Sequence, residues 1–169
     1  MSERLQAKPC RIAGTPTLRV ERPDDEPFLF EVYSSTRQEE LEVAGWDAAA
    51  RTAFLQMQFQ AMRRGYANMF PAGDFLIVVL DGRPAGRMVV KRTADEIHLV
   101  DMALLPAHRG KGIGTCLMRD LLTEAKRTRK RIRLQVLKHN RAARLYERLG
   151  FRRLEESGPY EQMEWRPAG

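Results

Sequence analysis

Apolar residues recur at every second position in some stretches of this chain and at every third or fourth in others. Thr17 to Glu21 alternates and predicts a short strand. Asp24-Asp25-Glu26-Pro27 predicts a helix start, with an acidic first turn and an early proline, and the helix should turn Phe28, Leu29, Val32 and Tyr33 to one face. A second helix is expected from near Asp47 to about Gly65, burying Phe54, Leu55, Met57 or Gln58, Met62 and Tyr66. Phe75 to Leu80 reads as a buried strand, Asp81-Gly82 as a hairpin turn and Gly86 to Arg92 as its return. Ile97 to Leu105 is a long central strand, and Ile113 to about Arg127 a helix with Ile113, Leu117, Leu121 and Ala125 on one side. Ile132 to Leu137 predicts a strand. Asn140 caps a helix to Leu149 that Gly150 ends in the left-handed region, and a last strand runs near Tyr160 to Trp165. The order β, α, α, β, β, β, α, β, α, β(β) implies an α/β chain of the α+β type, a mixed sheet flanked by helices. Residues 1–16 are polar and read as a loose arm, and residues 17–169 as a single domain.

Composition narrows the class. The chain is 43% hydrophobic and 30% charged, the balance of a globular protein. No apolar run approaches a membrane span, the longest being Phe75 to Leu80. The opening residues carry no hydrophobic signal region, and Cys10 and Cys116 suggest no disulfide framework, so a cytoplasmic location is expected. The net charge of +7 is uneven: residues 1–85 carry −2 and residues 86–169 carry +9. Six of the eight residues Lys126 to Arg133 are basic. A solvated helix end explains that cluster first, a nucleic-acid patch second and attraction for a polyanionic cofactor third. Nucleic acid is disfavoured because no aromatic residues interleave the cluster.

The most informative run is Arg109-Gly110-Lys111-Gly112-Ile113-Gly114, placed between the strand that ends before Pro106 and the helix that begins at Ile113. Strand, glycine-rich turn and helix together set backbone N–H groups and a positive helix end against a phosphate. Two common versions fail on spacing. A nucleoside-triphosphate loop needs a lysine directly before Ser or Thr, and Thr115 follows Gly114; a dinucleotide fingerprint needs a further glycine where Thr115 or Leu117 stands.

The spacing Arg-x-x-Gly-x-Gly, preceded by Asp101-Met102-Ala103-Leu104-Leu105-Pro106, resembles the GNAT superfamily of acyl-CoA-dependent N-acetyltransferases. A second motif in that family's order, Asn140-Arg141-Ala142-Ala143-Arg144-Leu145-Tyr146-Glu147-Arg148-Leu149-Gly150-Phe151, strengthens the likeness. The resemblance implies the GNAT fold, with a central, mostly antiparallel sheet, and acetyl-CoA as co-substrate without a metal. It implies that Arg109, Gly110, Lys111, Gly112, Ile113 and Gly114 hold the pyrophosphate, that the backbone of Met102, Ala103 and Leu104 holds the pantetheine arm like an added strand, and that Asn140 touches the cofactor. Tyr146 would sit beside the sulfur and protonate the departing thiolate, a transfer expected to be favourable. The acceptor would be a primary amine, on a small molecule or a protein, attacking directly in a ternary complex. Its pocket is expected from residues 24–70 and the tail around Tyr160. An acyl-CoA-binding module without turnover is the alternative, and pairing of two copies stays open.

Residue chemistry singles out Asp101 independently. By strict alternation it shares a side of its strand with Ile97, Leu99, Ala103 and Leu105, and a carboxylate there is costly unless paired. It is either a structural aspartate bonded to N–H groups or an arginine, or a base or ammonium anchor. Glu96, His98 or water are the other candidate bases. His, Cys and acidic residues show no metal-ligand spacing.

Overall fold

The computed structural model describes residues 14–42 and 45–169, so most of the expected arm, with Cys10, lies outside the described residues. The strands are β1 (Thr17–Val20), β2 (Asp74–Leu80), β3 (Arg83–Arg92), β4 (Glu96–Leu104), β5 (Arg131–Leu137), β6 (Arg152–Ser157) and β7 (Tyr160–Trp165). The helices are α1 (Glu26–Glu42), α2 (Ala48–Met69), α3 (Ile113–Thr128) and α4 (Ala142–Arg148). Seven strands form one sheet in the order β1-β2-β3-β4-β5-β7-β6, with only β4 and β5 parallel. The expected mixed, mostly antiparallel sheet with flanking helices is therefore the fold. No described helix is long and apolar enough to cross a membrane.

Local sequence accounts for the turns. Asp81 and Gly82 take φ of 51° and 77°, the paired left-handed residues that suit the twist of a two-residue hairpin. Asp47 caps α2 by accepting the Ala50 N–H at 2.7 Å. At the end of α4 the N–H of Phe151 reaches the Tyr146 carbonyl at 3.0 Å and Gly150 takes φ 92°. This closure brings the Phe151 ring to 5.7 Å from that of Tyr146.

Each face of the sheet carries a pair of helices. α3 buries Ile113, Leu117, Leu121 and Ala125 against Met88, Val90, Ile97, Leu99, Ile132 and Leu134, and Tyr146 and Phe151 complete that core. On the other face Leu29 and Tyr33 of α1 meet Leu55 and Phe59 of α2 over Ile77. The periodic reading of α2 missed Phe59, which is fully buried, while Met57 is exposed and Gln58 takes the inward place by accepting the Tyr33 hydroxyl at 3.3 Å. Cys116 is buried on α3 and is disulfide-bonded, which corrects the reading of two cysteines outside any disulfide framework.

Candidate active site

The central strand departs from alternation, and this builds the site. Val89 lies opposite Asp101 and Val90 opposite Leu99, so Val100 is an extra residue in β4. Such a bulge re-aims the side chains that follow it. Ile97 and Leu99 before it, and Met102 and Leu104 after it, all pack on the α3 side. Asp101 is turned instead to the α1–α2 side, where it lines a cavity of about 380 Å³ with Arg87, Val89, Leu29, Phe59, Tyr66 and Phe75. The expectation that Asp101 shares a side with Ile97 and Leu99 is thus corrected.

Arg87 Nε approaches Asp101 Oδ2 at 2.7 Å. The N–H is not directed at the oxygen, so the contact is an ion pair without a hydrogen bond. Of the two readings of Asp101, the arginine-paired one is realised, and the same carboxylate also faces the cavity. The cavity draws Leu29, Phe59, Met62, Arg63, Tyr66 and Ala67 from the stretch expected to form it, and the rest from β1 to β4 and the adjoining Glu21 and Gly73; Tyr160 is not among its walls. The other candidate bases stand elsewhere. Glu96 is tied to Arg131 at 3.1 Å, and with His98 it lines a separate cavity of about 170 Å³. Burial lowers the pKa of His98, whose ring meets that of Phe70 edge-on at 5.6 Å.

β4 and β5 pair only from Glu96–Arg131 to Leu99–Leu134. Beyond that point the two strands part, and residues 100–104 keep β3 on one edge but no strand on the other. Backbone N–H and C=O groups along such an edge need a partner. Met102, Ala103 and Leu104 lie on it, and an extended pantetheine arm is a fitting occupant.

The turn that follows is shaped for an anion. Gly110 and Gly112 take φ of 70° and 83°, and a Cβ at Gly110 would meet nothing within 4 Å. The first hydrogen bond of α3 runs from the Cys116 N–H to the Gly112 carbonyl at 3.0 Å. The N–H groups of Ile113, Gly114 and Thr115 therefore have no acceptor within the helix. Lys111 is exposed beside them. Arg109 differs from expectation: its guanidinium donates to the Leu104 carbonyl at 2.9 Å and to the Ser35 hydroxyl at 3.0 Å, pinning the turn to β4 and α1. Arg141, not Asn140 as expected, holds the cap position of α4; the Asn140 side chain, one residue earlier and exposed, accepts the Ala142 N–H at 2.9 Å.

Tyr146 is 6% exposed. Burial, and after it the charge of Asp101, pushes its phenol up to about 12. Tyr66, across the cavity, is also raised to about 12 by burial and then Asp101. One carboxylate therefore acts on tyrosines from both faces of the sheet, at the level where β4 and β5 no longer join. The expected favourable proton donation is corrected. With reference values of ~10 for a phenol and ~8.5 for a thiol, donation to a free thiolate is already uphill, and burial makes the Tyr146 phenol a weaker acid still.

Sequence reasoning did not find Arg87. It stands in a strand with Val89 and Val90, and only the β3–β4 register brings it to Asp101. Its signal was a lone charge among residues that are otherwise fully buried.

Residues 71–153 match the model of the acetyltransferase (GNAT) domain. The chain belongs to the GNAT family. Three solved structures share the fold. The PaiA N-acetyltransferase from Thermoplasma acidophilum, in complex with coenzyme A, is 19% identical with a TM-score of 0.66, over 90% of this chain and 99% of that one. An acetyltransferase from Thermus thermophilus is 19% identical with a TM-score of 0.63, over 90% and 97%. A protein from Corynebacterium glutamicum described as histone acetyltransferase HPA2 and related acetyltransferase is 22% identical with a TM-score of 0.64, over 92% and 98%. Among the described residues of this GNAT chain, no group of three or more His, Cys, Asp or Glu side chains could hold a metal ion.

Proposed function

We propose that this GNAT protein is an N-acetyltransferase that moves the acetyl group of acetyl-CoA to a primary amine, by direct attack in a ternary complex. The observation that carries the reading is the unpaired edge of β4, with Asp101 at its start and the glycine turn beyond its end. The coenzyme A in the Thermoplasma relative supports the choice of co-substrate.

Acetyl-CoA, when bound, supplies an activated acyl carbon and a thiol leaving group. The backbone of Met102 to Leu104 bonds the pantetheine amides as a neighbouring strand would, and one N–H there steadies the thioester oxygen as charge develops. The N–H groups from Gly110 to Gly114 receive the pyrophosphate, with Lys111 adding charge and Arg109 holding the turn in place. Asn140 keeps α4, and hence Tyr146, at the gap. Asp101 accepts an N–H of the amine at the mouth of the cavity, and the proton lost on attack leaves through Asp101 or water. Tyr146 donates a hydrogen bond to the sulfur while the C–S bond breaks. With its pKa near 12 it shares its proton and does not surrender it.

A screen of amines and peptides, read by product mass and by release of free thiol, tests the reading. Acetylation with equimolar thiol release is expected. Tight binding of acetyl-CoA with no acceptor at any pH would leave a non-catalytic acyl-CoA-binding module.

A further inference from the structure

Three carboxylates line the larger cavity, Glu21, Asp74 and Asp101. Each already faces an arginine: Arg63 meets Glu21 at 2.7 Å, Arg92 meets Asp74 at 2.5 Å and Arg87 meets Asp101 at 2.7 Å. A polycationic acceptor needs carboxylates with no other cation, and none lines this cavity among the described residues. The unsatisfied capacity is of both signs: Asp101 Oδ2 is buried without a hydrogen-bond partner among the described residues. The Arg87 side chain is 9% exposed, and its Nε and Nη1 are buried without a hydrogen-bond partner among the described residues. The Tyr33 ring centre lies 5.9 Å from the guanidinium carbon, a contact that adds no hydrogen bond. A guanidinium offers five N–H donors in a rigid fork, and buried donors are rarely left unmatched. The group that matches the fork two bonds at a time is a carboxylate. The adjoining walls, Leu29, Phe59, Met62, Phe75 and Leu76, are apolar.

We infer that the acceptor is a small amino-acid-like zwitterion with an apolar side chain. Arg87 takes its carboxylate, Asp101 holds its amine, and Leu29, Phe59 and Phe75 enclose its side chain. This rests on the acetyltransferase reading and adds the acceptor's class. The charges close: a zwitterion brings one group for each member of the Arg87–Asp101 pair and leaves the cavity as neutral as before. A volume of about 380 Å³ is at the small end for ligand pockets. A free carboxylate beside the amine also separates this acceptor from a protein N-terminus, where that carboxylate has become an amide.

The test uses the full chain with acetyl-CoA and matched acceptors that differ only by the carboxylate. Phenylalanine is paired with phenethylamine and leucine with isopentylamine, within a panel of the twenty amino acids and a polyamine; thiol release and product mass are read. At least one amino acid should exceed its decarboxylated partner in kcat/KM by about 100-fold or more. Arg87→Lys, which keeps the charge and loses the fork, should raise the KM of that amino acid by about tenfold or more and cut its preference over the decarboxylated partner by about as much. Equal use of the decarboxylated amines, preference for the polyamine, or an unchanged ratio in Arg87→Lys would each overturn the inference. Should Arg87→Lys not fold, the matched pairs on the unaltered protein decide alone. Calorimetry with acetyl-CoA separates the two levels. If it binds and amines react but no amino acid does, the zwitterion falls and the acetyltransferase stands; if it binds and nothing in the panel reacts, the zwitterion also falls; if it does not bind, both fall.

Discussion

Asp101 and Arg87 meet at 2.7 Å although neither is the other's partner in the ladder. Arg87 lies opposite Ala103 and Asp101 opposite Val89, so the contact is diagonal, and it exists because the extra residue Val100 turns Asp101 onto the face that Arg87 occupies. An ion pair on a sheet face beneath a cavity orients both of its members towards whatever enters.

Removing one charge of this pair strands the other. Asp101→Asn should lower stability by about 3 kcal/mol, the low end for a broken buried pair, measured by denaturant unfolding. The double variant Asp101→Asn/Arg87→Gln should recover part of that loss. In Asp101→Asn both Tyr146 and Tyr66 should titrate below about 12, because a negative charge that opposes phenolate is gone. They should stay above the usual ~10, because burial is the larger cause. Alkaline spectrophotometric titration reads this directly, and unchanged phenol titrations would mean that the carboxylate does not reach them.

Tyr146→Phe keeps the ring that packs on Phe151 and loses only the hydroxyl. Melting should shift little and acetyl-CoA should bind as before. Turnover should drop by about 10²-fold or more, the effect of losing one hydrogen-bond donor to developing charge. Wild-type turnover in the variant would make Tyr146 a packing residue.

Gly112 precedes α3 with φ 83°. Gly112→Asp adds both a side chain in a left-handed position and a negative charge beside the free N–H groups of the turn. Acetyl-CoA affinity should fall by roughly tenfold or more in a variant whose circular dichroism is unchanged. Calorimetry showing equal affinity would remove the turn from the site.

Acid stability has an identifiable contributor that is not among the cavity's walls. Arg19 donates two hydrogen bonds of 2.7 Å to Asp25, and the Arg22 N–H donates a third at 2.8 Å. Led by the Arg19 bonds, these hold the carboxyl at about 2, below an unfolded value near ~3.9. A depressed folded pKa stabilises above the unfolded pKa, and the contribution is lost as pH falls from about 4 through about 2. Arg19→Met should therefore be less stable by about 1 kcal/mol at neutral pH, and the gap from wild type should close across that window. A gap that persists at the acid end would assign the effect to packing of the Arg19 stem.

What the sequence determined by itself is what short-range chemistry controls. Periodicity placed the helices and most strands because these bury one face; it gave no bounds for β6, whose residues are all exposed, and it missed Phe59 where α2 meets a crowded neighbour. The Asp81-Gly82 hairpin, the Gly150 closure and the glycine turn after Pro106 depend on backbone angles that a few adjacent residues dictate, so they were legible. The two motifs carried the family because they fall within such segments. Tertiary structure alone decided which way Asp101 faces, since a bulge is a property of two strands in register and not of either one. It also gave Arg87 its place in the cavity and turned the Arg109 guanidinium to Leu104 and Ser35. Long side chains choose partners by what the fold brings within reach: Arg109 meets Ser35 of a helix far away in sequence, and Arg87 meets Asp101 of the neighbouring strand.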